Sequence, residues 1–298
     1  MTELEFERRF ASEAACREYL FRLRWPGGFG CPRCQSPSHW KMKRDLWLCQ
    51  SCRCQTSVTA GTIFQDTRVP LVKWFRGMWH MTSQKNGISA LGLQRVLGLG
   101  SYRTAWAMLH KLRRAMVRPG RERLRGVVEV DEAYWGTEEE GVIGRKTENK
   151  ALLVVAAEAD GEGIGRVRLR CIPTADRRNL HAFIHDSVEP GSTVHTDGLN
   201  AYRELAGFVH RRDVQNRQPA GVYVLPRIHR VISLLKRWLM GTHQGAISHA
   251  YLDDYLNEFT FRFNRRTSRS RGKLFYRLVQ HSVAIAPVPI ATLSNHNP

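Results

Sequence analysis

The chain has 298 residues, of which 46 are Lys or Arg and 27 are Asp or Glu, giving a formal net charge of +19. An excess that large goes beyond what solubility requires and is the electrostatic footprint of a protein that binds a polyanion, most often nucleic acid. No apolar run approaches the ~18–20 residues needed to cross a bilayer, and MTELEFERRF lacks the apolar region of an export signal. The expectation is a soluble, cytoplasmic, nucleoid-associated protein with no membrane partner.

Residues 1–27 read as an N-terminal helical segment. Seven cysteines in an intracellular chain suggest metal or chance before disulfides. Four of them form Cys31-Pro-Arg-Cys34 and Cys49-Gln-Ser-Cys52, with fourteen residues between the pairs. That spacing predicts a zinc ribbon over residues 28–62, with four thiolates around Zn2+ and SHWKMKRDLWL as the hairpin between knuckles. Four thiolates leave no open position for water, so this zinc is structural, and in so small a domain it supplies folding energy. Cys54 is a poorer knuckle member, His39 reads as a strand residue, and Cys16 and Cys171 read as core residues. Lys41, Lys43, Arg44 and Arg53, set among Trp40 and Trp47, suit phosphate contact and stacking, although a solvated charged face explains the same residues.

A helix-turn-helix-like module is expected over residues 68–118. PLVKWFRGMWHMTSQ carries a 3.6-period stripe at Leu71, Trp74, Phe75, Met78 and Trp79. A short helix from Ser89 to Val96 should break at Gly98 and Gly100. A second should start with Ser101 as its cap and run to about Met116. Its donors Arg103, Thr104, His110, Lys111, Arg113 and Arg114 would face DNA if that helix entered a major groove. Two helices joined by glycines also pack together without any such role.

After a basic linker at 118–126, residues 126–280 read as one α/β domain. Strands are expected at Val127–Ala133, Ala151–Ala157 and Arg166–Ile172, with WGTEEEGVIGRKTENK a polar excursion between the first two. A helix at Asp176–Val188, a strand at Ser192–Thr196, a short helix at Asn200–Leu205 and a strand at Phe208–Val214 follow. A helix at Pro226–Met240 then carries the apolar stripe Ile228, Val231, Ile232, Leu235 and Leu239. The order strand-strand-strand-helix-strand-strand-helix is that of a ribonuclease-H-like mixed sheet flanked by helices, in which the first and fourth strands are neighbours. Residues 281–298 read as a partly extended or disordered tail.

Three stretches of this domain carry chemistry. Asp131 closes GVVEVD and Asp197 closes STVHTD, and a carboxylate at the rim of a buried sheet is costly unless it has a role. His229 and Lys236 lie seven residues apart, two turns along one face of the helix from Pro226. Two strand-end carboxylates with a third ligand and a cation on a later helix are the layout of metal-dependent phosphodiester chemistry. Glu258 is a further acidic candidate, and an i,i+4 pair with Arg262 accounts for it as well. Arg262, Asn264, Arg265 and Arg266 read as a basic DNA-facing end or as a helix-terminal charge cluster.

The CPRC…CQSC ribbon, VEVDEAYWG, HTDGLNAY, SLLKRWLMGTHQGAIS and YLNEFTFRFNRR together resemble a family of prokaryotic insertion-sequence transposases with an N-terminal zinc ribbon and a catalytic domain related to Merlin elements. The resemblance runs in order from about residue 14 to residue 280. It implies a DDE-type transposase that binds terminal inverted repeats and performs two-metal strand cleavage and strand transfer. Asp131, Asp197 and the third position would be ligands of Mg2+ or Mn2+, with Lys236 beside them. Relatives commonly have Glu or Asn at that third position, where this chain has His229. An imidazole ligand favours Mn2+ over Mg2+ and must be neutral to bind, so activity should fall as pH drops through its titration. The implied partners are double-stranded DNA, at element ends and target, and at least a second copy of the chain. Two alternatives share the motifs: a catalytically inactive or domesticated DNA-binding regulator, and a nuclease acting on RNA–DNA hybrids or junctions.

Overall fold

In a computed structural model of the chain, the described residues are 1–118, 120–136, 149–214 and 223–294. Residues 137–148 of the expected polar excursion, Pro119 of the linker, residues 215–222 and residues 295–298 of the tail lie outside them. The chain forms two compact units, Met1–Arg118 with Ser268–Pro298, and Pro119–Thr267.

The first unit begins with α1 (Glu3–Arg9) and α2 (Glu13–Arg24). Thr2 and Glu5 satisfy each other's backbone N–H groups in a capping box at the start of α1. A three-stranded antiparallel sheet follows, ordered β1 (His39–Lys41), β2 (Leu46–Cys49), β3 (Gln55–Ser57). Then come α3 (Leu71–Ser83), α4 (Ala90–Leu97) and α5 (Tyr102–Ala115). The hydroxyls of Ser89 and Ser101 accept from Gly92 N and Arg103 N and start α4 and α5 where the sequence places them. Between those helices Gly98 ends α4 in the left-handed region (φ +56°), a conformation that costs a residue with a Cβ.

The second unit is built on a five-stranded sheet. Its elements are β4 (Val127–Trp135), β5 (Ala151–Asp160), β6 (Gly163–Ile172), α6 (Arg177–Ser187), β7 (Thr193–Thr196), β8 (Val209–Arg212), α7 (Pro226–His243) and α8 (Leu252–Phe263). The strand order is β6-β5-β4-β7-β8. β4, β5 and β6 pair antiparallel, whereas β7 pairs parallel with both β4 and β8. This is the ribonuclease-H-like arrangement, with the first and fourth strands side by side. The expected short helix at Asn200–Leu205 is a single 3-10 turn, Asn200–Tyr202.

Helices cover both faces of that sheet, which is why β5 reads as a continuous apolar run, Leu152 to Ala157, buried throughout. One face packs Val128, Val130, Val154, Ala156 and Val194 under Leu180, Phe183 and Ile184 of α6. The other packs Trp135, Leu153, Val155 and Ala157 under Ile228, Val231, Leu235 and Leu239 of α7. Each fully buried Val, Leu or Phe in such a layer contributes on the order of 2 kcal/mol of transfer free energy. The edge strand β6 does not offer its backbone to a stranger. Asp253 of α8 accepts from Cys171 N (2.8 Å), and Asn264 accepts from Val167 N (2.7 Å) and donates to Val167 O (3.1 Å).

Two sequence expectations change at the C-terminal end. The large domain was expected to run to residue 280, but α9 (Arg271–Ala284) packs against α3 and belongs to the first unit. Its Phe275 is fully buried in an aromatic cluster, 5.3 Å from the Phe6 ring and 5.8 Å from Phe75. The residues of this helix therefore pack in the first unit rather than in the second. The tail from 281 is helical to Ala284 and again at α10 (Ile290–Ser294), with Leu293 buried.

Glu158 on β5 accepts from Arg125 N, Arg166 N and the Arg166 guanidinium. Burial alone would raise its carboxyl, but Arg166 and these donors bring it from 4.5 to about 2. The stability it contributes is present above pH 4.5 and lost as pH falls towards 2. Glu158→Gln should destabilise the second unit by about 2 kcal/mol at pH 7 and flatten that acid slope, as read by amide hydrogen exchange in β5 and β6. An unchanged acid slope in the variant would refute the assignment.

Candidate metal centre and catalytic rim

The ribbon cysteines converge as their spacing predicts. Among the described residues, Cys31, Cys34, Cys49 and Cys52 are the one group of three or more His, Cys, Asp or Glu whose ligand atoms all lie within 4.8 Å of one another. The Sγ atoms of Cys31 and Cys52 are 3.5 Å apart, as are those of Cys34 and Cys49. The two knuckles repeat one another. Gln35 N donates to Cys31 O and Arg53 N to Cys49 O, and Gln35 and Arg53 both take positive φ, at +61° and +58°.

Backbone N–H groups of Cys52 and Ser51 aimed at the Cys49 sulfur lower its thiol to about 6. The Ser36 N–H acts in the same sense on Cys34, but the surrounding cysteines push that thiol up to about 12. Four thiols gathered this closely cannot all ionise without a cation, and tetrahedral thiolate coordination is the chemistry of structural Zn2+. The donor set fits zinc. Cys54 stands beside the cluster but outside the group of four, and His39 turns its Nδ1 to Pro37 O.

In the second unit, the parallel pairing of β4 with β7 sets Glu129 opposite His195. Continuing that register by two residues brings Asp131 level with Asp197, just past the end of β7. Asp213, just past β8, is level with Asp197 in turn, because Thr196 pairs with Arg212 and Asp213 N donates to Thr196 O (3.1 Å). Alternation along a strand puts Glu129 and Asp131 on one face. Trp135 continues that face into the core under α7, so both acids belong to the α7 side. Asp131 Oδ1 accepts from Glu132 N (2.8 Å) and Asp197 Oδ1 from Leu199 N (2.9 Å).

Tyr202 lies on the opposite face, fully buried. Burial first, then the charges of Glu132, Asp131 and Asp197, hold its phenol well above the ordinary range, so one buried group feels all three carboxylates. His229 and Lys236 are exposed on α7, and the His229 ring lies 6.1 Å from that of Tyr223. Asp131, Asp197 and His229 are not drawn together to the 4.8 Å spacing that the cysteines reach. Glu258 is fully buried on α8, which packs on β6, two strands away from β4.

Two family models match the chain in order: a transposase zinc-ribbon domain over residues 11–55 and an ISXO2-like transposase domain over residues 123–264. Both matched segments, the ribbon and the sheet-bearing region, are thus similar to transposase domains. A relative from Halobacterium salinarum (strain ATCC 700922 / JCM 11081 / NRC-1), described as an uncharacterized protein in transposable element ISH50, is 28% identical over 289 residues, or 89% of this chain and 94% of the relative. Among solved structures, the catalytic core domain of BIV integrase is similar at 15% identity, covering 48% of this chain and 85% of that one with a TM-score of 0.33. A simian T-cell lymphotropic virus intasome in complex with PP2A regulatory subunit B56 gamma is similar at 16% identity, covering 70% and 77%, with a TM-score of 0.31.

Several cations expected to face DNA are placed otherwise in this chain. His110 is fully buried, Arg113 is 1% exposed with its guanidinium 3.3 Å from His110 Nε2, and Lys111 is 9% exposed. The reason is packing: α5 is flanked by α3, α4, α9 and α10, so its middle turns face protein and its long side chains cover apolar surface with their stems. Arg103 at the start of α5 is exposed and Arg114 is half-buried. Trp47 is buried against Phe21 and Trp25, whereas Trp40 is exposed with Arg53 5.0 Å from its ring centre. Lys41, Lys43 and Arg44 are exposed on the same hairpin. Arg265 donates to Phe261 O, Arg266 donates to the carbonyls of Gly165, Ile164 and Phe263, and Asn264 clamps β6. The helix-terminal reading of that basic segment is the one these contacts favour.

Asp213 and His195 escaped the sequence reading. His195 is 8% exposed and its Nε2 lies 2.9 Å from Asp213 Oδ2, which also accepts from Arg211 Nε (2.9 Å). The strand itself was expected, at Phe208–Val214, and the signal passed over was the acid just past its end, as Asp197 is just past β7. The purified protein should carry about one zinc per chain by atomic absorption. Cys49→Ala should lose it and cost the ribbon its amide-exchange protection; retention of zinc by that variant would overturn the four-cysteine site.

Proposed function

We propose that this protein is an insertion-sequence transposase that binds the ends of its element and catalyses metal-dependent strand cleavage and strand transfer there. The observation that supports this best is the level placement of Asp131 and Asp197 on adjacent parallel strands, on the face of the sheet that α7 covers. Two carboxylates side by side are hard oxygen donors suited to Mg2+ or Mn2+. His229, on the helix over that face, is the proposed third ligand, and its nitrogen favours Mn2+. A divalent ion held there would supply Lewis-acid activation of water and would neutralise charge on the phosphate.

The chain's own groups do the rest. Asp131 and Asp197 orient the centre, and Lys236, two turns beyond His229, holds the phosphate of the element end. Water attacks that phosphate, the P–O3′ bond breaks, and the element is left with a free 3′-OH. In the second step the hydroxyl attacks a target phosphate at the same site and displaces another 3′ oxygen. No residue of the protein becomes bonded to DNA.

Lys41, Lys43, Arg44 and Arg53, with Trp40 among them, form the proposed DNA contact of the ribbon, as phosphate-binding cations beside a ring that can stack or enter a groove. Arg103 is the proposed contact from the helical module. Double-stranded DNA is thus the partner, and bringing two ends together requires at least two copies of the chain.

The test is incubation of zinc-loaded protein with a labelled duplex of the element's own end in Mn2+ or Mg2+, beside Asp131→Ala. Site-specific nicking that leaves a 3′-OH should occur, with the variant slower by at least about 1,000-fold, the scale of losing a ligand that acts on the transition state. Tight binding without cutting in either metal would favour a DNA-binding regulator, and a protein–DNA adduct on denaturing gels would overturn the direct-attack mechanism.

A further inference from the structure

Glu129 has no role in the reading given so far, yet it is buried and bonded through both of its oxygens. It lies two residues before Asp131 on β4, on the same face, and its side chain is 2% exposed. A carboxylate buried to that degree persists only where it is fully engaged. Both of its oxygens are. Oε2 accepts from the backbone N–H groups of Arg227 (2.9 Å) and Ile228 (3.0 Å), and Oε1 accepts from the Arg227 guanidinium (2.9 Å).

Those two amides are the second and third of α7, which opens on Pro226 and receives no cap from the side chain of its own preceding residue, Leu225. Pro226 has no N–H to satisfy, and the next amide, of His229, already reaches Leu225 O (3.1 Å). Glu129 therefore supplies the whole N-terminal cap of α7 from a neighbouring strand, with a full negative charge at the positive end of the helix. Arg227 extends the tie, donating from Nε to Gly163 O (2.8 Å) and from its other terminal nitrogen to Gly161 O (2.7 Å), in the turn between β5 and β6. Strand, hairpin turn and helix start are locked to one another.

We infer that Glu129 is a positioning residue for the transposase: through the first turn of α7 it fixes where His229 and Lys236 stand relative to Asp131. The inference rests on the catalytic reading of those residues proposed above. It assigns a function to Glu129, two residues before the acid proposed to reach the reacting groups. His229 is one residue beyond the second capped amide, so any tilt or fraying of that turn displaces it directly. Lys236, two turns on, moves with the helix axis. Partners that orient ligands in this way typically contribute 10- to 100-fold in metal affinity or rate.

The experiment compares wild type, Glu129→Gln, Glu129→Asp and Arg227→Gln, each also in a His229→Ala background. It measures Mn2+ affinity by calorimetry and single-turnover cleavage of end duplex at several Mn2+ concentrations. Glu129→Gln, which places an amide against two N–H donors or halves the acceptors, should weaken Mn2+ binding and slow cleavage about 10- to 100-fold. End-duplex binding should be retained. Glu129→Asp, which keeps the charge, should recover part of the loss. In the His229→Ala background the Glu129→Gln change should cost no further Mn2+ affinity, because its effect passes through that ligand.

Equal Mn2+ affinity and rate in wild type and a folded Glu129→Gln would overturn the inference. So would an additive loss in the double variant, which would make Glu129 a general support of the fold. If Glu129→Gln unfolds, Arg227→Gln carries the same comparison, since it removes one of the three bonds to Glu129 and leaves both amide caps. Failure of the catalytic reading shows separately, as a wild type that neither binds Mn2+ at this site nor cuts.

Discussion

The second unit depends on one pairing, that of β4 with β7. Parallel neighbours cannot be joined by a tight turn, so the chain between them builds the β5–β6 hairpin and α6 before it returns. That excursion supplies two further strands and the helix that buries one face. The pairing also decides which acids meet. With Glu129 opposite His195, Asp131 and Asp197 are level, and the parallel addition of β8 brings Asp213 into the same row. Burial on both faces fixes this register, because a slip of one residue would turn Val130 and Val154 outward and drive Asp131 into the layer under α6.

A row of carboxylates at a sheet rim would repel itself if it stood alone. Around this one the chain arranges compensating groups of different kinds. Asp213 is shared by Arg211 and His195; burial raises its carboxyl, but the bond from Arg211 and the two neighbours' charges bring it below its ordinary value. Glu129 is neutralised by Arg227 and by the start of α7. Asp131, on β4 opposite Val155 of β5, accepts from Glu132 N, and Asp197, just past β7, accepts from Leu199 N.

The ribbon solves a different problem. Three strands of three or four residues cannot enclose a core, and their folding energy has to come from elsewhere. Four thiols supported by backbone N–H groups supply a metal site, while Trp47, packed between Phe21 and Trp25, ties β2 to the aromatic residues of α2 and the loop after it. With one aromatic spent on packing, Trp40 is left exposed beside Arg53. Two tryptophans that look equivalent in SHWKMKRDLWL thus have opposite fates, set by the alternation of the hairpin.

The amino-acid sequence by itself determined the local chemistry: the CxxC spacing, the serine caps of α4 and α5, the 3.6-period stripe of α7, and the acids carried on β4 and just past β7. Each is written in residues a few positions apart, where covalent geometry and periodicity already limit what the chain can do. It also determined the strand order well enough to expect neighbours in the first and fourth strands. Only tertiary structure decided which face of an element meets protein. Lys111 and Arg113 look like donors on an amphipathic helix, but α5 is enclosed by four others, and no local pattern records how many neighbours a helix has. Phe275 and its helix look like the end of the large domain, but they complete an aromatic cluster begun at Phe6. Glu129 looks like one more polar residue in a strand, because its partners are the backbone amides of Arg227 and Ile228, nearly a hundred residues away in sequence. Backbone hydrogen bonds of that reach leave no trace in composition or spacing and exist only once the sheet and helix have met.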